Sequence, residues 1–225
     1  MPDPASTPRP RPPLDRAAPD ALVPAVFGLG CFWGPDARFG AVEGVVRTCV
    51  GYAGGASPAP TYDALGDHIE TVRVEYDPQR ISYAELLLLF WASHDPTRPP
   101  FKRQYQPALF PQTERQARLA AASREARAAE LDASLTTVII DDASFHRAED
   151  RHQKHALRRY PRLRDAVRAP YPDGESFVDA PAAALVNGYA GSYRAPRHLA
   201  ADAPRLGLPA AATDRLRTVA QNRFG

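Results

Sequence analysis

The chain has 225 residues, 44% hydrophobic and 24% charged, and apart from Met1 its only sulfur lies in Cys31 and Cys49. This is enough apolar material for a core of ordinary size in roughly one domain, while two cysteines exclude a disulfide scaffold and any four-thiolate metal centre. The net charge of +2, from 28 basic and 26 acidic residues without a block of like charge, argues against dedicated nucleic-acid binding.

The longest apolar run, Leu86 to Ala92, is far below the roughly 18 residues of a membrane span, so no membrane partner is expected. Seven prolines within residues 1–22 interrupt any secretory h-region and mark a disordered or extended leader. A cytoplasmic, reducing location is the resulting expectation, with the protein a monomer.

Ordered structure is expected from Val23. Residues 25–30 read as a buried strand, Phe32 to Glu43 as a helix that tolerates Pro35 in its first turn, and Val45 to Val50 as a second strand closed by Gly51-Tyr52-Ala53-Gly54-Gly55. Strand, helix and strand in this short span predict a βαβ unit whose strands pair in parallel. Thr71 to Tyr76 alternates as a half-buried strand, and Ser82 caps a helix from Tyr83 to about Ser93. Residues 94–111, with five prolines, read as loop. A helix from about Gln112 to Leu131, a strand from Thr136 to Ile140 and a helix from Ala148 to Arg159 follow. The predicted fold is α+β, an α/β sandwich with a ferredoxin-like, βαβ-containing mixed sheet covered by helices, spanning residues 23–165. Residues 166–225 are Ala/Pro-rich and are expected to pack on this domain as an extension, with short helices near Pro181 to Val186 and Thr213 to Asn222. Gly188-Tyr189-Ala190-Gly191-Ser192 resembles the earlier Gly51 to Gly55 segment, but the flanks do not match and no repeat is assigned.

Cys31 follows Gly30 at a strand-to-helix turn, where free backbone N–H groups and the helix dipole favour an anion. Such placement predicts a thiol pKa lowered toward neutrality and a usable nucleophile. Phe32 and Trp33 set two large aromatics beside the sulfur. A lone cysteine is more often a small buried hydrophobe; two glycines, two aromatics and a helix start shift the balance toward function.

Gly30-Cys31-Phe32-Trp33-Gly34, followed by Gly51-Tyr52-Ala53-Gly54-Gly55, resembles the signature of the A-type peptide methionine sulfoxide reductases. The resemblance continues in family order through Pro60-Thr61-Tyr62, His68-x-Glu70, Tyr76-Asp77-Pro78, Phe90-Trp91, His94-Asp95-Pro96-Thr97, Gln104-Tyr105 and Ala148-Glu149-x-x-His152-Gln153. It covers about 130 residues and excludes the leader and the region after 165. It implies that a Cys31 thiolate attacks the sulfur of the S epimer of methionine sulfoxide, free or in proteins, and becomes a sulfenic acid. Sulfoxide oxygen needs a proton to depart, which the resemblance assigns to Glu70, kept protonated by an apolar setting. Tyr62 and Tyr105 would hydrogen-bond the sulfoxide oxygen, and Phe32 with Trp33 would wall the pocket for the substrate methyl. Taken singly, Glu70 reads as a strand-edge acid and the two tyrosines as packing residues; their motif positions raise them. No bound cofactor is implied, but turnover needs a thiol reductant: thioredoxin, glutaredoxin or a small thiol.

The chain departs from the family pattern in four places. Pro35-Asp36 follows Gly34, where the family has a glutamate two residues on. Tyr62 and His68 are closer together than usual, with Asp67 before His68. Pro100 stands where an Asp normally precedes the motif tyrosine by five residues, removing one polar partner of the substrate. There is no cysteine after Cys49, which leaves Cys49 as the sole internal candidate for a resolving thiol; strand alternation could equally bury it on the far face. Glu149, His152 and His155 have metal-ligand spacing, but the partners of a di-iron bundle are missing, so Glu149 and His152 read as a supporting or packing pair on a polar helix face and no metal is expected. The competing reading is a non-catalytic or redirected relative that binds or senses an oxidised sulfur ligand, or that reduces a small non-methionine sulfoxide.

Overall fold

The computed structural model describes residues 9–221. In chain order these form α1 (Pro13–Arg16), β1 (Val23–Gly28), α2 (Trp33–Gly40), β2 (Val45–Ala53), β3 (Ile69–Tyr76), α3 (Tyr83–Trp91), β4 (Ala108–Phe110), α4 (Glu114–Leu131), β5 (Val138–Ile139), β6 (Phe145–Arg147), α5 (His155–Arg158), α6 (Pro161–Arg168), α7 (Gly174–Val178), α8 (Pro181–Ala190), α9 (Leu199–Leu206) and α10 (Ala210–Gln221). The fold is α+β, and its mixed sheet has the strand order β5-β4-β1-β3-β2-β6.

The expected βαβ unit is corrected in its pairing. β1 and β2 run in the same direction but do not touch, because β3 lies between them and pairs antiparallel with both. Local pattern sets each strand's faces but not its neighbour; here the alternation of Val72 and Val74 supplies a strand that fits between the two. One face of the sheet carries Ala25 and Phe27 with Val72 and Val74, and packs under α2 and α3. Phe27 stacks on Phe39 of α2 at 4.9 Å between ring centroids. The predicted Ser82 cap is present as a full capping box with Glu85, and Thr113 caps α4 through Gln116.

Three further expectations are revised. Within the proline-rich stretch, Ala108–Phe110 forms β4 beside β1; three residues are too few for alternation to declare them. The expected helix from Ala148 to Arg159 is broken. Ala148 continues the sheet by donating its N–H to Val50 O, Asp150–His152 make a 3₁₀ turn, and Lys154 adopts a left-handed φ of 50° before the short α5. Long-range bonds override the helical pattern: Gln153 brackets the Val50 backbone, accepting from its N–H at 3.0 Å and donating to its carbonyl at 2.9 Å. Finally, residues 13–16 of the expected leader form a helical turn. Its Asp15 accepts from Tyr171 Oη at 2.6 Å and from the Ala182 N–H at the start of α8, supplying the N-terminal cap that Ala180 lacks. Residues 1–8 and the expected helix end at Asn222 lie outside the described residues.

The C-terminal helices reach the heart of the molecule. Every residue from Ala182 to Ala190 is buried, and α8 crosses α2 with almost no space between backbones. A Cβ on Gly40 would lie 2.6 Å from the Ala184 carbonyl oxygen, and one on Gly188 would lie 2.9 Å from the Ala41 backbone. At the centre of this crossing is a buried ion pair, Lys154 Nζ to Asp36 Oδ1 at 3.0 Å. Asp36 also accepts from Thr48 Oγ1 at 2.5 Å, the Lys154 N–H at 3.0 Å and Asn187 Nδ2 at 3.0 Å. It thereby ties together α2, β2, the turn before α5, and α8.

Two stability outcomes follow from this packing. Lys154→Met leaves the Asp36 carboxylate buried without its cation and is expected to cost about 3–5 kcal/mol in urea unfolding; a loss below about 1 kcal/mol would show that the pair is not structural. Gly188→Ala forces α2 and α8 apart and is expected to cost about 1–3 kcal/mol, read as a lowered denaturation midpoint at unchanged m-value.

Candidate active site

Gly30, at φ 70°, lies in the left-handed region that favours glycine, and it turns the chain from β1 into α2. Cys31 is left exposed at the mouth of this turn, while Phe32 folds inward to 1% exposure. The Phe32 N–H donates to Glu70 Oε2 at 3.0 Å, and Gln104 Nε2 donates to Glu70 Oε1 at 2.9 Å. Glu70 is opposite Tyr52 in the β2–β3 register and is itself 1% exposed. Burial pushes its carboxyl above the ordinary range, and the two donors only partly offset this.

The thiol follows different electrostatics from those expected. Cys31 is pushed above an ordinary thiol, first by desolvation, against which the Trp33 N–H acts, and then by the nearby Glu70 charge. The helix start does not ionise the sulfur because its donors are divided. One N–H faces the thiol, whereas that of Phe32 is committed to Glu70.

Tyr105 stands in the 3₁₀ turn Arg103–Tyr105. Its phenol is raised by desolvation, then by the charges of Glu70, Tyr62 and Cys31 and by a hydrogen bond with the Tyr62 side chain. These couplings bring Cys31, Glu70, Tyr62 and Tyr105 within electrostatic reach of one another. Tyr62 is partly exposed and its ring rests on His152 with centroids 4.7 Å apart. The Tyr62 N–H donates to Glu149 Oε1 at 3.0 Å, and Tyr52 Oη donates to Glu149 Oε2 at 2.7 Å. Burial alone would raise Glu149, but these bonds and Arg151 outweigh it and hold the carboxyl at about 2. Trp33 is fixed from two sides: its ring stacks on His155 at 3.6 Å and 2°, and its Nε1–H donates to His152 Nδ1 at 3.3 Å.

Cys49 is not brought to these residues. It alternates with Val50 and Tyr52, which pack with Phe32, and is buried instead with residues of α7 and α8 such as Val178 and Val186. Its thiol donates to Val50 O at 3.6 Å, and burial pushes it up to about 11. Glu149, His152 and His155 are engaged with Tyr52, Tyr62 and Trp33 rather than converging on a common point. Among the described residues no group of three or more His, Cys, Asp or Glu could hold a metal ion, and no helix is long and apolar enough to cross a membrane. Sequence reasoning did not anticipate Tyr52 and Gln104 as partners of the two carboxylates. Both lie in the quoted motifs, but their partners are 97 and 34 residues away, beyond any local pattern.

A family model for peptide methionine sulfoxide reductase matches residues 24–175. The chain is 43% identical over 186 residues to peptide methionine sulfoxide reductase A5 of Oryza sativa subsp. japonica, covering 80% of this chain and 72% of that protein. It is 40% identical over 190 residues to the peptide methionine sulfoxide reductase of Drosophila melanogaster, covering 82% and 74%. Among solved structures, methionine sulfoxide reductase A of Corynebacterium diphtheriae aligns at a TM-score of 0.56 with 30% identity, over 69% of this chain and 83% of that one. Reduced Mxr1 from Saccharomyces cerevisiae aligns at 0.57 with 27% identity, over 64% and 88%. The chain belongs to the peptide methionine sulfoxide reductase family. It is an oxidoreductase that carries out thiol-dependent reduction of methionine sulfoxide.

The two thiols are expected to separate chemically. At neutral pH one equivalent of iodoacetamide should label Cys31 and spare Cys49, as read by peptide mass spectrometry. The alkylation rate should still be climbing above pH 9, since a raised thiol pKa delays thiolate formation. Glu70→Gln removes a negative charge beside the sulfur and is expected to move that profile to lower pH; an upward move would contradict the geometry.

Proposed function

We propose that Cys31 is the nucleophile and Glu70 the proton donor in reduction of the S epimer of methionine sulfoxide, with Tyr62 and Tyr105 binding the sulfoxide oxygen and Phe32 and Trp33 holding the substrate methyl. The observation that supports this reading best is an accessible thiol next to Phe32, whose N–H holds the desolvated Glu70 carboxyl, with the Tyr62 and Tyr105 phenols hydrogen-bonded to each other and coupled to both groups.

The Cys31 sulfur attacks the sulfoxide sulfur while its thiol proton and that of Glu70 move to the oxygen; the S–O bond breaks, water departs and a Cys31–sulfonium S–S bond is left. Water then attacks the Cys31 sulfur, breaking that S–S bond and giving a proton back to the Glu70 carboxylate. The products are methionine and a Cys31 sulfenic acid, with Glu70 recovering its proton. The raised carboxyl suits this step, because a protonated Glu70 can donate where a carboxylate could only repel the oxygen. An external thiol then attacks the sulfenic acid, releasing water and leaving a mixed disulfide, and a second thiol restores Cys31. Thioredoxin, glutaredoxin or a small thiol fits this role, since Cys49 is buried behind the sheet. Free or protein-bound sulfoxide is the proposed substrate, with a reducing cytoplasmic setting and a role in repair of oxidised proteins.

Purified protein with dithiothreitol is expected to reduce the S epimer and not the R epimer, and Cys31→Ser to abolish turnover. Glu70→Gln should slow sulfenic acid formation by roughly 100-fold or more, with the alkaline fall of the single-turnover rate that tracks Glu70 ionisation removed. After one turnover without reductant, dimedone should trap a sulfenic acid on Cys31; a Cys31–Cys49 disulfide in its place would overturn the external-thiol assignment.

A further inference from the structure

His152 is not among the residues assigned to the reaction, yet its ring packs against those of Phe32, Trp33 and Tyr62. It is 4% exposed, with centroids 5.3 Å from Phe32 and 4.7 Å from Tyr62. The Trp33 indole nitrogen can only donate, so His152 Nδ1 must be the acceptor of their 3.3 Å bond. In the neutral ring the proton then resides on Nε2. That atom is buried without a hydrogen-bond partner and is directed at Glu149 Oε2, 3.9 Å away. Glu149 in turn holds the Tyr62 backbone and the Tyr52 hydroxyl.

We infer that His152 is a positioning residue, locked as the Nε2–H tautomer by Trp33, which couples the Trp33 wall of the substrate pocket to the Glu149-held Tyr62 loop. The inference rests on the reading that Trp33 and Tyr62 face the substrate. Three features support it. A donor-only indole edge against an imidazole acceptor sets the ring's orientation, since turning the ring over would bring a C–H to the indole. The stacked His155 fixes the indole face while His152 fixes its edge, so the wall is held in both respects and its remaining surface is free for a methyl group. The ring is also kept neutral, as its position requires: desolvation lowers its pKa, with Arg151, His155 and Arg158 acting the same way and Glu149 opposing them. A substrate pocket needs such support because its binding groups must be held within about half an ångström to be effective.

The test separates this role from packing. The chain has two tryptophans, Trp33 and Trp91, so a ¹⁵N-labelled sample gives two indole N–H resonances, and the Trp91 indole donates elsewhere, to Ser123 Oγ. In wild type, long-range ¹⁵N–¹H spectra are expected to show His152 as the Nε2–H tautomer. His152→Phe keeps the ring but removes the acceptor; it should shift the Trp33 indole resonance, leave that of Trp91 in place, and raise KM for peptide methionine sulfoxide about 3- to 10-fold with kcat changed less than about twofold. His152→Asn, whose carbonyl can occupy the place of Nδ1, should recover most of both effects. An Nδ1–H tautomer in wild type, a Trp33 resonance unmoved by His152→Phe, or an Asn variant no better than Phe would each overturn the inference. If the Phe variant loses the Trp91 signal as well and is therefore misfolded, the wild-type tautomer and the Asn variant decide. The tautomer and indole signals are read without substrate, so an absence of sulfoxide reductase activity would defeat the proposed chemistry while leaving these signals to judge His152.

Discussion

The arrangement of the site depends on one buried carboxylate. Asp36, in the first turn of the helix that begins beside Cys31, accepts four hydrogen bonds, from Thr48, from the backbone and ammonium of Lys154, and from Asn187. Burying both charges is costly, and the full set of partners is what makes it tolerable. In return the pair sets geometry: Lys154 is held in a left-handed turn that ends the 3₁₀ segment and starts a new helix. Without that break, His152 and His155 would follow one helical path. With it, one histidine meets the edge of Trp33 and the other its face.

The same economy of donors governs the charge state of the site. Of the backbone N–H groups at the start of α2, that of Phe32 goes to Glu70 and that of Trp33 to Cys31. Neither group gains enough to be ionised early, and both are raised by desolvation. A negative charge on either raises the other, so the resting site favours at most one anion. This suits an uncharged substrate whose oxygen needs a proton as its sulfur is attacked. Glu149 shows the contrast on the opposite wall. It has more donors and less burial, remains ionised, and serves as an acceptor that holds Tyr62 and Tyr52.

The C-terminal helices belong to this design. Asn187 of α8 supplies one of the four donors to Asp36, and its side-chain oxygen accepts from the Leu157 N–H at the end of the same turn. The close crossing through Gly40 and Gly188 allows that reach. It also gives a reason for the second Gly-Tyr-Ala-Gly segment: Gly188 provides contact distance between backbones, while Tyr189 is anchored on Asp202. The first such segment ends a strand, and the likeness between them is not a repeat of structure.

Residue types and local spacing determined much about this protein. The glycine-flanked thiol, the aromatic pair after it, the capped helix at Ser82 and the ordered motifs up to Gln153 were legible because each depends on neighbours within a few residues, and they were enough to indicate the family. Tertiary structure decided the rest. β3 separates β1 from β2, Phe32 gives its N–H to an acid 38 residues away, Cys49 faces the far side of the sheet, and Gln153 and Lys154 break an expected helix by bonding to Val50 and Asp36. These outcomes turn on which distant partner satisfies a buried donor or acceptor, and a buried polar group is satisfied by whatever the fold brings to it, not by what lies next to it in the chain.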